Sequence, residues 1–293
     1  MLSEARAQRL KPLLDAFAKP EAWAGRIIAD PLEFPRRYRD PRDVEVVGLL
    51  STALAYGRAS FFKPKIHGLL EQMGRSPAAF VSAMTVSQAK TMLKGFVYRF
   101  NVPTDLGVLL MGMGQTLQRF GSLENAFIAT RTQSLQPSLG AFTATIREAA
   151  PLRELTRALG PTRGLSHLLP SAAAGAAKRL NLYLRWMVRG PDAMDVGVWK
   201  QISPADLIIP VDTHVGRIAQ WLALTTQKTI SWAMAEEITA SLRRLDPADP
   251  VRYDFALCHY GMSGACPSTP VKVNCRVCAL RAECRIGRRL VPS

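Results

Sequence analysis

Four cysteines near the C-terminus, Cys266, Cys275, Cys278 and Cys284, follow the spacing C-x8-C-x2-C-x5-C. Thiolates that a tight loop brings together are natural ligands for a soft metal, and outside the secretory route this use of cysteine is favoured over disulfides. A zinc ribbon pairs two C-x2-C knuckles, whereas one knuckle here is flanked by single cysteines. That asymmetry suits a 4Fe-4S cluster, with zinc as the alternative. Four cysteinates would leave no open position for substrate, so the site is expected to be structural or electron-transferring rather than hydrolytic. Lys272, Arg276, Arg281, Arg285, Arg288 and Arg289 surround the cysteines against Glu283 alone. They either attract phosphates or balance the charge of the ligated cluster. Cys258 falls outside the spacing and reads as a small buried hydrophobe. His67, His167 and His259 show no ligand pairing.

The second place where chemistry could sit is Ile208 to Ile218, I-I-P-V-D-T-H-V-G-R-I. An apolar lead-in precedes Asp212, and helical periodicity follows through Val215, Ile218, Ala219 and Leu222. Asp212 therefore stands at a helix N-cap, a role that by itself needs no catalytic explanation. Further upstream, Lys178, Arg179, Arg185 and Arg189 share a stretch without an acid, interleaved with Tyr183 and Trp186. The pattern suits phosphate contacts and stacking on bases. The other reading is a basic amphipathic core helix with solvated arginines.

These groups must be positioned by helices. Asp40 followed by Pro41 is an N-cap with proline at the first helical position, opening an apolar core helix from Val44 to Ala55. Asp105 to Phe120 reads as another, closed by Gly121. Met234, Ile238, Leu242 and Leu245 recur at helical spacing with Glu236, Glu237, Arg243 and Arg244 on the other face. Tyr253 to Tyr260 is a helical segment too. No strand alternation is evident. Pro161 to Ala177 and Gly190 to Pro204 read as loop-rich joints.

The chain has 293 residues, 48% hydrophobic and 21% charged, the profile of a globular protein long enough for two units. Its formal charge of +15, from 38 basic against 23 acidic residues, points to a polyanionic partner. Met1 to Lys19 reads as a charged amphipathic helix rather than a secretory leader, and the longest apolar run, Val44 to Tyr56, is shorter than the roughly 20 residues of a membrane span. A cytoplasmic monomer without a membrane partner is expected.

The V-D-T-H-x-x-R-I segment, followed some fifty residues later by the cysteine loop, resembles the endonuclease III-like helix-hairpin-helix (HhH-GPD) DNA glycosylases. The last two cysteine gaps match theirs and the first is longer. Val46 to Ala53 is similar to the first core helix of their barrel, although Ala53 stands where the family often carries a polar wedge. Their hairpin, L-P-G-x-G before a catalytic lysine, is replaced by Leu169 to Lys178, L-P-S-A-A-A-G-A-A-K, in which Gly175 is the sole glycine. Glycines let backbone amides approach a phosphate closely, so the phosphate-binding hairpin is altered here. The separation of Lys178 from Asp212 is similar to that in archaeal 8-oxoguanine glycosylases. The chain also resembles a bacterial domain-of-unknown-function family sharing K-R-L-N-L-Y-L-R-W-M-V-R and P-V-D-T-H.

The resemblance implies an all-α, two-lobed glycosylase fold: residues 1–40 and 190–293 forming a helical domain with the iron-sulfur loop, and 41–189 a barrel-like domain with the degenerate hairpin. It implies base-excision repair of double-stranded DNA, with a damaged base flipped out of the stack. Asp212 would stabilise positive charge on the sugar and help deprotonate the attacking group. Lys178, as a neutral amine of lowered pKa, would attack the sugar and add AP lyase activity; otherwise it contacts phosphate and water attacks. Gly175, Arg179, Arg185, Trp186, Arg189, His214 and Arg217 would contact DNA, with Tyr56 and Arg58 at the gap left by the flipped base. Two rivals remain: a non-catalytic iron-sulfur nucleic-acid-binding protein, and an RNA-directed protein.

Overall fold

The computed structural model describes residues 2–171 and 175–292. Ala172, Ala173 and Ala174 of the altered hairpin lie outside the described residues. Among those described the architecture is all-helical, with one isolated antiparallel bridge between Tyr98 and Asn101 and no strand. No helix among them is long and apolar enough to cross a membrane. The chain divides into two compact units, Met1–Ile27 with Gly175–Met194 and Ile202–Ser293, and Ile28–Ala174 with Asp195–Gln201.

The second unit is built on two buried helices. Pro41–Leu54 starts where Asp40 accepts the backbone N–H of Arg42, and every residue from Asp43 to Leu54 is buried. Pro103–Phe120 ends at Gly121, whose φ of 81° is the left-handed conformation that a glycine cap supplies. Its neighbours approach closely: a Cβ on Gly114 would lie 2.0 Å from the Val81 carbonyl oxygen, and one on Gly112 would lie 2.2 Å from that of Ile146.

Segment 195–201 is fastened to this unit through Glu45. The Glu45 carboxylate accepts from the backbone N–H groups of Leu123 and Glu124 and from Trp199 Nε1, at 2.7–3.0 Å. Trp199 in turn packs against Phe127 and Phe142. Burial pushes the Glu45 carboxyl up to about 7, with the three N–H donors pulling the other way. A carboxyl with a folded pKa above its unfolded value near 4.5 binds protons better in the folded state. Its contribution to stability is present in acid and is lost as pH rises to about 7. At about 1.4 kcal/mol per pH unit, that loss is about 3 kcal/mol. Denaturant titrations at pH 5 and 7.5 should show a pH dependence that is smaller by about this amount in Glu45→Gln. Equal slopes in the two proteins would contradict the assignment.

The first unit gathers helices Glu4–Phe17, Lys178–Val188, Thr213–Trp221, Trp232–Arg243 and Asp254–Met262 with the cysteine loop. Met234, Ile238, Leu242 and Leu245 are buried, as their helical spacing requires. The N-terminal helix holds the C-terminal loop. Arg6 and Arg9 both donate to the buried Glu283 carboxylate, at 3.3 and 2.7 Å, and Tyr253 donates to Asp15 at 2.7 Å. Burial raises the Glu283 carboxyl, but Arg9 and Arg6 outweigh it and hold it below its usual range.

Candidate active site and cysteine centre

Asp212 is set by the chain on both sides of it. Ile209 and Val211 are buried, and the Ile209 N–H donates to Thr239 Oγ1 at 3.0 Å, which anchors the lead-in. The Asp212 backbone is extended, and Oδ1 caps helix Thr213–Trp221 by accepting the N–H groups of His214 and Val215, each at 2.9 Å. Oδ2 accepts from Lys178 Nζ at 3.0 Å and from Cys258 Sγ at 3.4 Å. Four donors thus converge on one carboxylate. Burial raises the Asp212 carboxyl, yet the Lys178 charge and the donors outweigh it and leave it below its usual value. The group is ionised at neutral pH and oriented by the capping bonds.

Lys178 opens helix Lys178–Val188, and the described part of the hairpin precedes it. Gly175, at φ 69°, and Ala177, at φ 46°, both adopt left-handed backbone. The turn therefore keeps two positive-φ residues where the sequence offers a single glycine. Lys178 sits in an ion pair with Asp212, an environment that favours its charged form. Burial lowers its pKa, but Asp212 and Cys258 outweigh burial and raise it above the ordinary lysine value. An ammonium ion-paired to Asp212 has no free lone pair for attack on a sugar.

Cys258 is the residue that sequence reasoning passed over. It is half-buried beside Asp212, brought there by close packing of helices Asp254–Met262 and Thr213–Trp221. A Cβ on Gly261 would fall 2.7 Å from His214 Cβ, so the approach depends on that glycine. Nothing in the 46-residue separation from Asp212 signals the contact; only the helical register of a segment rich in small residues hints at close packing.

Three of the expected DNA contacts are corrected. Trp186 is fully buried, so it has no face open to a base. Arg185 is 2% exposed and pairs with Asp254, whose carboxyl burial pushes up to about 6 despite the arginine. Arg189 is buried and pairs with Asp249 at 2.9 Å. These cations tie the Lys178–Val188 helix to the segment around residues 249–254. Arg179 is half-buried and Gly175 exposed. His214 is half-buried at the start of the Asp212-capped helix. Arg217, in the same motif, donates to the Cys266 carbonyl oxygen at 2.6 Å and lies over the Trp221 ring, so it links the capped helix to the cysteine loop. In the other unit Tyr56 is half-buried, with its hydroxyl donating to Tyr98 O and Asn101 Oδ1, and Arg58 is exposed.

Cys266, Cys275, Cys278 and Cys284 are free, half-buried thiols that line one cavity together with Trp221 and Tyr260. The cavity is small, about 30 Å³. Among the described residues no three His, Cys, Asp or Glu side chains converge tightly enough to hold a single metal ion. Four thiols lining one cavity are a donor set of the kind soft metals take. Burial and the neighbouring thiolates push the Cys266 thiol up to about 12. Cys284 Sγ also accepts the Gly287 N–H at 3.3 Å. Lys272, Arg276, Arg285, Arg288 and Arg289 are exposed around the loop, while Arg281 is half-buried.

The family described as "Protein of unknown function (DUF2400)" matches residues 30–263, a span that holds Lys178, Asp212 and Cys258 and stops short of Cys266. No curated protein and no solved structure matches the chain.

Proposed function

The chain belongs to the DUF2400 family, and from the residues this member carries we propose that it is a base-excision DNA glycosylase of the helix-hairpin-helix kind, acting on a flipped damaged base in double-stranded DNA by hydrolysis. One observation carries the reading: Asp212, at the cap of the V-D-T-H helix, is ionised, oriented by two backbone N–H groups and paired with Lys178. A fixed negative charge in a partly buried setting is what a sugar losing its base requires, because positive charge develops on the ring as the glycosidic bond breaks. A carboxylate of depressed pKa is a weak base, so its main contribution is electrostatic, with orientation of the attacking water second. Lys178 holds Asp212 in the charged state. With this lysine protonated, water attacks the sugar, base release occurs without a Schiff base, and the lyase step expected of a free amine does not follow.

Cys266, Cys275, Cys278 and Cys284 would hold a 4Fe-4S cluster, whose four protein ligands confine it to bracing the loop or carrying electrons. The exposed arginines around that loop would add salt-dependent attraction to phosphates. Arg217 and the pair of Arg6 and Arg9 fix the loop to the Asp212-bearing helix and to the N-terminal helix.

The test pairs metal analysis with a lesion panel. Protein purified without air should contain four irons per chain and release free base from at least one duplex bearing a single lesion or mismatch. One zinc in place of iron would assign the cysteine centre to zinc. Tight, salt-sensitive duplex binding with no base released from any lesion would replace the enzymatic reading with the binding-only one.

A further inference from the structure

In the unit formed by Ile28–Ala174 with Asp195–Gln201, a tight turn carries two exposed side chains on a rigid base. Tyr98 and Asn101 exchange both backbone hydrogen bonds, at 3.1 and 2.9 Å, which places Arg99 and Phe100 at the tip. Arg99 has a φ of 52°, a strained conformation for a residue with a side chain. Phe100 is 53% exposed and stacks on exposed His167, with ring centroids 4.6 Å apart and planes 15° from parallel. Tyr56 lies on the same imidazole at 6.1 Å and 23°, and the Arg99 guanidinium sits over the rings of both Tyr56 and Phe100.

A buried polar network beneath fixes the two loops that carry the stack. Asn101 Nδ2 donates to Gly164 O at 2.8 Å, and the buried Asp105 carboxylate accepts the N–H groups of Arg163 and Gly164, at 3.1 and 2.8 Å. A solvent-facing aromatic stack gains little from such preorganisation unless something lies on it. The charge of the chain stretch that carries this turn points to that occupant. Between Arg58 and Phe100 the chain carries seven lysines and arginines against one acid, Glu71; Lys63 pairs with Glu33, while Arg58, Lys65 and Lys94 are exposed.

We infer that the open face of Phe100, backed by His167 and Arg99, is a stacking platform for an unpaired base of a nucleic-acid strand whose phosphates the neighbouring cations hold. Aromatic faces accept any base, and removing such a face typically weakens single-strand binding severalfold to a hundredfold. The inference rests on the nucleic-acid partner proposed above but not on base excision.

The probe is a single-stranded oligodeoxythymidine with one central 2-aminopurine, measured beside an undamaged duplex at low salt. Wild type should quench the 2-aminopurine on binding. Phe100→Ala and His167→Ala should weaken the single strand about tenfold or more and lose the quenching, with the salt slope retained, while Phe100→Trp keeps both. Unchanged affinity and quenching in Phe100→Ala, with duplex binding intact, would overturn the platform and leave the proposed function standing. Absence of binding to either strand form in the wild type would overturn both. An intact platform in a protein that excises no base would count against excision alone.

Discussion

On the proposed glycosylase reading, Asp212→Asn is expected to lower single-turnover base release by about a thousandfold and to leave duplex affinity within a few-fold of wild type. Asparagine caps a helix about as well as aspartate, so Oδ1 can still accept the His214 and Val215 N–H groups and the fold is kept. What disappears is the negative charge that the proposed mechanism sets against the sugar, and losing one preorganised charge of this sort costs about two to four orders of magnitude in rate. The companion variant Lys178→Ala acts in a graded way. Removing the ammonium takes away the strongest influence holding the Asp212 carboxyl low, so its pKa rises and the acid limb of the pH–rate profile moves to higher pH. An Asp212→Asn protein that releases base within tenfold of wild type would show that the carboxylate is only a helix cap.

Arg185→Met destabilises the protein by about 3–5 kcal/mol, the usual effect of leaving one member of a buried ion pair alone. Arg185 and Asp254 side chains are 2% and 4% exposed, so water cannot replace the lost partner. The pair joins the helix carrying Lys178 to the one carrying Cys258. Asp254 already has its folded pKa pushed to about 6 by burial. Its contribution to stability is present in acid and is lost as pH rises through 6. Without the arginine the pKa rises further, and the variant weakens most above neutrality. A double variant, Arg185→Met with Asp254→Leu, should recover most of the loss because neither member of the pair is left buried without the other. Equilibrium denaturation of the three proteins measures this; a single variant within about 1 kcal/mol of wild type would mean that the pair is not a buried linkage.

The parts legible in the sequence are those that local spacing determines. Asp40–Pro41 starts a helix and Gly121 closes one, while the apolar period of Trp232–Arg243 marks its buried face. Asp212 as an N-cap is equally local, since its capping partners are two and three residues away. The misread residues have distant partners. Arg185 and Trp186 sit in a basic, aromatic run that resembles a nucleic-acid surface, but the acid that neutralises Arg185 lies 69 positions downstream. Arg6 and Arg9 meet Glu283 across more than 270 residues. Cys258 and Lys178 reach one oxygen of Asp212 from opposite sides in sequence. The ion pair of Lys178 with Asp212 arises from that meeting, and no composition or period encodes it. Phe100 and His167 became neighbours only through the Asn101–Gly164–Asp105 network.

On the proposed reading the pairing of Lys178 with Asp212 leaves water as the nucleophile, and borohydride applied during a single turnover on the duplex from which base is released tests this directly. Free base appearing at the full rate with no protein–DNA adduct is the predicted result. A borohydride-trapped adduct that vanishes in Lys178→Ala would contradict it, by showing the lysine to be a neutral amine in the working site.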